Sequence, residues 1–391
     1  MPNFQTNSLA MPNFPVKFGD SYFKYIAISP RGEYLVKTES FGVEFFLQIK
    51  KKGDRYLVKG DKISRPSQVV FLQKALKDFR DLTDSDTTFS NIEFTKQKTT
   101  RRYKSVVDID FFAYKFDTDK DIYIEVGFGS GRHLLYQAKK NPEKILIGLE
   151  IHKPSLEQVA KQCELQEISN ILLLDYDARI FLEFLKSNSV EKIFVHFPVP
   201  WDKKPHRRVI SEDFINEAIR VLRDKGTLEL RTDSDNYFEY SFGEFMKLNK
   251  SALHVNKNQD LPVSSKYEDR WKRLEKNIYD IVFVNSEISK EKEKIEKLAF
   301  FEQYDFSKVK EKFRQTVMRE GESFVHIEDI FTINEKRGIL KLSFGASFKN
   351  ERAYIIFSEE NTCYFPDNVL ATRDNKQAHK LIREWLNGTC S

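Results

Sequence analysis

Ile124-Glu125-Val126-Gly127-Phe128-Gly129-Ser130-Gly131 runs an apolar strand directly into three glycines at alternate positions. Glycine reaches positive φ without strain and carries no Cβ, so such a turn brings backbone close to a ligand. The polar, helix-forming run Arg132 to Lys140 follows, which makes the segment a strand, loop, helix unit. A dinucleotide fingerprint would need its third glycine where Arg132 stands. Glu125 argues against a phosphate ligand as well, because a carboxylate at a strand's end repels pyrophosphate and pairs with an ammonium group. S-adenosylmethionine carries that group and no phosphate.

Outward from this loop, short apolar runs alternate with helical segments. Strands are predicted at 122–126, 145–150, 171–174, 193–197 and 227–232, and helices at 132–140, 154–164, 178–186 and 212–222, with a last strand at 278–284. Consecutive βα units imply a mostly parallel, Rossmann-like α/β sheet covered on both faces. Ligands of such sheets bind outside the carboxyl ends of the strands, near the point where strand order reverses.

The flanks read differently. Residues 18–59 alternate apolar and polar with turn signals at Pro30-Arg31-Gly32 and Gly53-Asp54, which predicts β hairpins. A short helix is expected at 68–79, and the polar stretch 83–90 with the basic run Lys96 to Lys104 reads as a linker. Beyond Val284, residues 290–319 read as a charged helix, followed by β runs at 324–333, 339–348 and 352–357 and a helix at 375–386. The expected organisation is a β-rich N-terminal extension (1–118), a catalytic domain (119–293) and an α+β C-terminal extension (294–391).

Composition bounds the setting. The 391 residues are 31% charged and 40% hydrophobic, with no apolar run approaching the roughly 20 residues of a membrane span. No membrane association is expected. Cys163, Cys363 and Cys390 are odd in number and widely spaced, which fits neither a disulfide framework nor a zinc site. A cytoplasmic, metal-free protein is predicted, and a net charge of +5 permits a polyanionic partner without demanding one.

The other strand ends carry the chemistry. Glu150 lies about 25 residues beyond Glu125, where an acidic side chain can accept both hydroxyls of a ribose. Asp177 can accept from an adenine amino group or cap the helix that starts at Ala178. In Phe197-Pro198-Val199-Pro200-Trp201-Asp202-Lys203-Lys204-Pro205-His206-Arg207-Arg208 the prolines stiffen the backbone, Trp201 offers a face for a base, and the cations can meet phosphates.

Taken in order, Glu-x-Gly-x-Gly-x-Gly, Gly-Leu-Glu, Asp-Ala, Phe-Pro-x-Pro-Trp-x-Lys-Lys, a basic cluster and Arg-Thr-Asp resemble the bacterial tRNA (guanine-N7-)-methyltransferases. Ser265-Lys266-Tyr267-Glu268-Asp269-Arg270 resembles a further segment of that family, and the resemblance spans roughly 121–284. It implies a class I S-adenosylmethionine-dependent methyltransferase fold and tRNA as partner, with the variable-loop guanine as target. By the resemblance Glu125, Gly127, Gly129, Glu150, Asp177 and the position of Val199 face S-adenosylmethionine. Lys203, Asp233, Ser265 and Glu268, together with Trp201 and Arg207, face the tRNA, and Asp233 is the expected catalytic carboxylate. The family pattern has an aspartate where this chain has Val199. The competing readings are a non-catalytic RNA-binding protein on the same scaffold and a nicotinamide-dependent oxidoreductase. The flanking domains are expected to be accessory RNA-binding or docking modules, or else to bury apolar surface of the core.

Overall fold

The computed structural model describes residues 2–92, 103–263, 268, 274–346, 349–367 and 369–388. It divides into two compact units, one made of residues 1–100 with 297–391 and the other of residues 101–296. Among the described residues no helix is long and apolar enough to cross a membrane.

The first unit opens with strands β1 (Asn3–Thr6), β2 (Val16–Phe18), β3 (Ser21–Ile28), β4 (Glu33–Ser40), β5 (Val43–Lys52) and β6 (Arg55–Gly60), then helix α1 (Val69–Leu82) and strand β7 (Thr87–Ser90). Alternation along β5 sends Phe45, Leu47 and Ile49 to one face, where Leu72, Leu76 and Phe79 of α1 pack on them. Burying that apolar surface is what holds the helix to the sheet. The stretch read as a linker thus contributes a strand, because β7 pairs with β1.

The second unit follows, with α2 (Ile109–Tyr114), β8 (Ile122–Val126), α3 (Arg132–Lys140), β9 (Ile145–Leu149), α4 (Lys153–Leu165), β10 (Ile171–Leu174), α5 (Ala178–Phe181), β11 (Val190–His196), α6 (Glu212–Val221), β12 (Leu222–Thr232), α7 (Asp235–Met246), β13 (Ala252–Lys257) and β14 (Tyr279–Val284). The sheet order is β10-β9-β8-β11-β12-β14-β13. β8 to β12 run parallel, and β14 lies antiparallel to both β12 and β13. Helices α3 and α4 cover Tyr123, Leu146, Leu173 and Phe194 on one face; α5, α6 and α7 cover Ile124, Ile147, Ile193 and Leu230 on the other. Two covered faces are why these strands read as continuous apolar runs. The sequence pattern left α2, α7 and β13 unassigned and overextended α5.

The C-terminal segment supplies a short helix, Phe306–Lys312, strands β15 (Thr316–Glu320), β16 (Ser323–Thr332), β17 (Gly338–Ala346), β18 (Lys349–Phe357) and β19 (Thr362–Phe365), and a final helix, Arg373–Asn387. In place of the long charged helix expected over 290–319, the run forms that one short helix and strand β15, and its buried Tyr304, Phe306 and Val309 join the core of the C-terminal strands. The expectation of two separate flanking domains also needs correction. All these strands join the N-terminal ones in a single antiparallel sheet of order β19-β18-β17-β16-β3-β4-β5-β6-β1-β7, with β2 and β15 paired at its side. Only Thr332 and Ile28 pair across the β16–β3 seam. Side chains carry the join instead: Ala27, Leu35 and Phe46 share a buried cluster with Phe331, Ile339 and Tyr354. The Tyr354 hydroxyl donates to Asp61 at 2.8 Å within it. Residues 103–118 belong with the parallel sheet, where Phe112 of α2 is core.

Candidate functional site

Strand order reverses between β8 and β11, so the turn after β8 and the loop after β11 flank the crevice of an open α/β sheet. The turn is shaped by its glycines. Gly127, Gly129 and Gly131 take φ of +69°, +52° and +71°, values that strain any side-chain-bearing residue. A Cβ on Gly127 would meet nothing within 4 Å, whereas one on Gly131 would strike Val159 of α4 at 2.5 Å. The first glycine therefore serves conformation and open space above the turn; the third lets α3 start close against α4.

Glu150, at the end of β9, is buried and reaches across to this turn. Its carboxylate accepts from the Gly129 N–H at 2.9 Å and from its own loop's His152 N–H at 2.9 Å. One carboxylate thus sits on the glycine turn with open space above Gly127, an arrangement suited to a nucleoside ribose. Asp177 takes the capping role that the sequence left open. It accepts from the Arg179 N–H and holds the Arg179 guanidinium through both oxygens, at 3.0 and 2.7 Å.

Glu125 has a partner within the protein. It is buried and bonded to His133 Nδ1 at 2.9 Å, and His133 Nε2 meets Gln137 at 3.0 Å. The His133 ring lies 4.6 Å, centroid to centroid, from His196 at the end of β11. Burial works against charging His133, yet the Glu125 carboxylate outweighs it and holds the imidazole above its ordinary pKa. His196 is pushed well below its ordinary value, by burial first and then by the neighbouring His133 and Arg231. In this arrangement the Glu125–His133 pair ties α3 to β8.

The loop after β11 is braced by Arg208. This buried guanidinium donates to the Pro200 carbonyl at 2.8 Å and to Asp202 at 3.3 Å, and lies 4.4 Å from the Tyr240 ring centre. Phe197 and Trp201 both take positive φ, of 50° and 48°. The Arg207 guanidinium lies 5.0 Å from the Trp201 ring centre, so one approach to the face expected for base stacking already carries a cation. Lys203 and Lys204 are exposed. Val199 is 60% exposed, which excludes a core role for it.

Beyond β12, Asp233 is half-buried and paired with Lys276 at 3.1 Å. Two residues earlier, Arg231 is 1% exposed and gathers three groups: both Asp280 oxygens at 2.7 and 2.8 Å, the Gln259 carbonyl at 2.7 Å and Glu268 at 3.0 Å. Glu268 is itself buried and bonded to Arg231. Ser265 lies outside the described residues, as do Arg101 and Arg102 of the basic run. Arg231, Arg208, Lys276, His133 and His196 were given no individual role by sequence reasoning. For Arg231 a signal existed, since Glu229 and Arg231 alternate onto one face of β12, a strand whose partner β14 carries Asp280 opposite Arg231.

A glycine turn, an acidic residue on the next strand and a stiffened loop at the switch point of a 3-2-1-4-5 sheet extended by an antiparallel pair define a class I S-adenosylmethionine-dependent methyltransferase. A family model described as a putative methyltransferase matches residues 119–281. The similarity to curated proteins is longer. A tRNA (guanine-N(7)-)-methyltransferase of Wolinella succinogenes is 40% identical over 99% of this chain and 100% of its own. One of Campylobacter jejuni strain 81-176 is 42% identical over 91% of each chain, and one of Helicobacter pylori is 36% identical over 88% of this chain and 86% of its own. The chain belongs to the tRNA (guanine-N(7)-)-methyltransferase family. The alignments to these relatives span both units of the chain.

Proposed function

We propose that the chain transfers the methyl group of S-adenosylmethionine to N7 of a guanine in tRNA, with the variable-loop guanine as target, in the cytoplasm. The observation that carries this reading is the Glu150 carboxylate seated on an open glycine turn at the switch point, in a chain alignable end to end with tRNA (guanine-N(7)-)-methyltransferases. S-adenosylmethionine supplies an electrophilic methyl on a sulfonium. Gly127, Gly129 and Glu150 would hold its nucleoside, and Asp177 keeps the neighbouring loop in place through Arg179.

Guanine N7 already has a free lone pair. No proton needs to leave before it attacks, so the protein's main contribution is to hold the base in line with the methyl. Asp233 is the carboxylate we assign to the base, where it can take the N1 and N2 donors and balance the positive charge that methylation leaves on the purine. Its partner Lys276, 3.1 Å away, holds the carboxylate in place until the base arrives. Lys203 and Arg207 meet phosphates, and Trp201, backed by Arg207, supports a base or ribose. Glu268, which Arg231 holds, and Ser265 are assigned to the guanine side of the site.

The deciding experiment is methyl transfer from labelled S-adenosylmethionine to unmodified tRNA, followed by nucleoside mass spectrometry. Appearance of 7-methylguanosine alone is the expected outcome. Tight tRNA binding without any methylated nucleoside would instead favour the non-catalytic reading, for which exposed Val199 in a carboxylate's place is the motivating observation.

A further inference from the structure

The hairpin of β5 and β6 carries a concentration of positive charge that the methyl-transfer site does not use. Phe45, Leu47 and Ile49 face α1, so alternation places Lys50 and Lys52 on the opposite face of the sheet. Register does the rest. Lys52 stands opposite Arg55, Lys50 opposite Leu57, and Gln48 opposite Lys59, which puts all four cations on that one face. Lys62 follows in the exposed loop after β6.

Little on the protein neutralises them. Glu33 is the acid within ion-pair reach, and it is taken by Lys50 and by Gln48. Asp61 is buried and engaged by Ile63, Ser64 and Tyr354. Among the described residues Lys52, Arg55, Lys59 and Lys62 make no ion pair. Burial, together with Lys50 and Lys62 nearby, lowers the pKa of Lys59, consistent with a crowded positive field.

This clustering does not stabilise the fold. Like charges directly opposite each other on a sheet are destabilising. Protection of an exposed sheet edge, a common use of lysine in strands, is no explanation either, because β5 and β6 are interior strands, with β4 on one side and β1 on the other. A group of cations on one face, of which Lys52, Arg55 and Lys62 are exposed, is complementary to a polyphosphate backbone.

We propose that the outer face of the β5–β6 hairpin is a second tRNA-contacting surface that takes backbone phosphates of the same tRNA the other unit methylates. This rests on the tRNA reading above. Phosphate contacts position a nucleic acid without reading its sequence. The face therefore adds affinity while the target guanine is chosen elsewhere.

The test uses the full chain carrying Lys52→Ala, Arg55→Ala and Lys59→Ala together, with fluorescence titration of unmodified tRNA at several salt concentrations. The expected result is a Kd about tenfold weaker and a log–log salt slope shallower by about 2 to 3, since each lost cation leaves one phosphate's counterions in place. S-adenosylhomocysteine affinity, melting temperature and kcat at saturating tRNA should match the parent. Parental tRNA affinity and salt slope in the folded triple variant would overturn the proposal, and so would a loss of binding to anionic phospholipid vesicles with tRNA binding intact. A parent that binds tRNA but forms no 7-methylguanosine would sink the reaction and leave this surface standing if the triple variant still weakens binding. Absence of any tRNA binding by the parent would overturn both.

Discussion

Glu150 and Arg231 are two buried charged residues with opposite assignments. Glu150 spans the glycine turn and its own loop through two backbone N–H groups and borders open space. Arg231 has no open space and is enclosed by Asp280, Glu268 and the Gln259 carbonyl. Glu150→Gln should weaken S-adenosylhomocysteine binding by about 2 to 3 kcal/mol in calorimetric titration, the loss of charge-assisted hydrogen bonds, and leave tRNA affinity alone. Arg231→Met should do the reverse. Removing one partner from a buried ion-pair group leaves carboxylates uncompensated and costs about 3 to 5 kcal/mol of stability. In whatever fraction stays folded, KM for tRNA should rise with cofactor affinity unchanged, because Arg231 acts through Glu268 and the Gln259 backbone that it holds. Loss of cofactor affinity with unaltered KM would show that Arg231 belongs to the other half of the site.

At the scale of elements, β8, α3 and β11 meet through Glu125, His133 and His196, and this junction makes stability depend on pH in two opposed ways. The folded pKa of His133 is raised, so its ion pair is fully in place below the ordinary histidine value of about 6.5 and fades as pH rises through the folded pKa. The folded pKa of His196 is depressed. Stability is lost on its account as pH falls below about 6.5, where the unfolded chain binds a proton the folded one refuses. Melting temperatures between pH 5 and 8 should therefore show a flatter alkaline side in His133→Gln and a flatter acid side in His196→Asn. Parallel profiles for all three proteins would remove the histidines from the pH response. The loops after β11 and β12 carry the chemical prediction. If Asp233 positions the guanine, Asp233→Asn should lower single-turnover methyl transfer at least about tenfold, or roughly 1.4 kcal/mol of transition-state stabilisation. Val199→Asp, at an exposed position, should keep or raise the rate. A parent that is inactive until Val199→Asp is introduced would reassign the carboxylate's role to that loop.

At the scale of the whole molecule, two segments nearly 200 residues apart in sequence complete one sheet unit, and one hydrogen bond reports on that closure. Burial holds the Tyr354 hydroxyl well above its ordinary pKa, so it stays protonated and donates to Asp61. Tyr354→Phe should destabilise this unit by about 1 to 3 kcal/mol, the cost of a buried acceptor left without its donor. Chemical denaturation followed by a probe in the N-terminal strands should detect a loss caused by a substitution in the C-terminal ones. An effect confined to the C-terminal segment would mean that the shared cluster does not couple them.

The parallel unit was legible in the sequence because strands buried on both faces must be apolar throughout, and because the turn after β8 must be glycine at positions with positive φ. Those local requirements leave their mark residue by residue, and they place the ligand-facing ends without any knowledge of packing. The partners of charged side chains leave no such mark. That Glu125 turns to His133, that Arg208 braces a loop instead of meeting phosphate, and that Arg231 holds Glu268 depends on which strands lie side by side. The joining of the two flanks is of the same kind: Phe46 and Tyr354 each read as a strand residue with an apolar face to cover. Local periodicity says that a face must be buried, and only the tertiary structure decides against what.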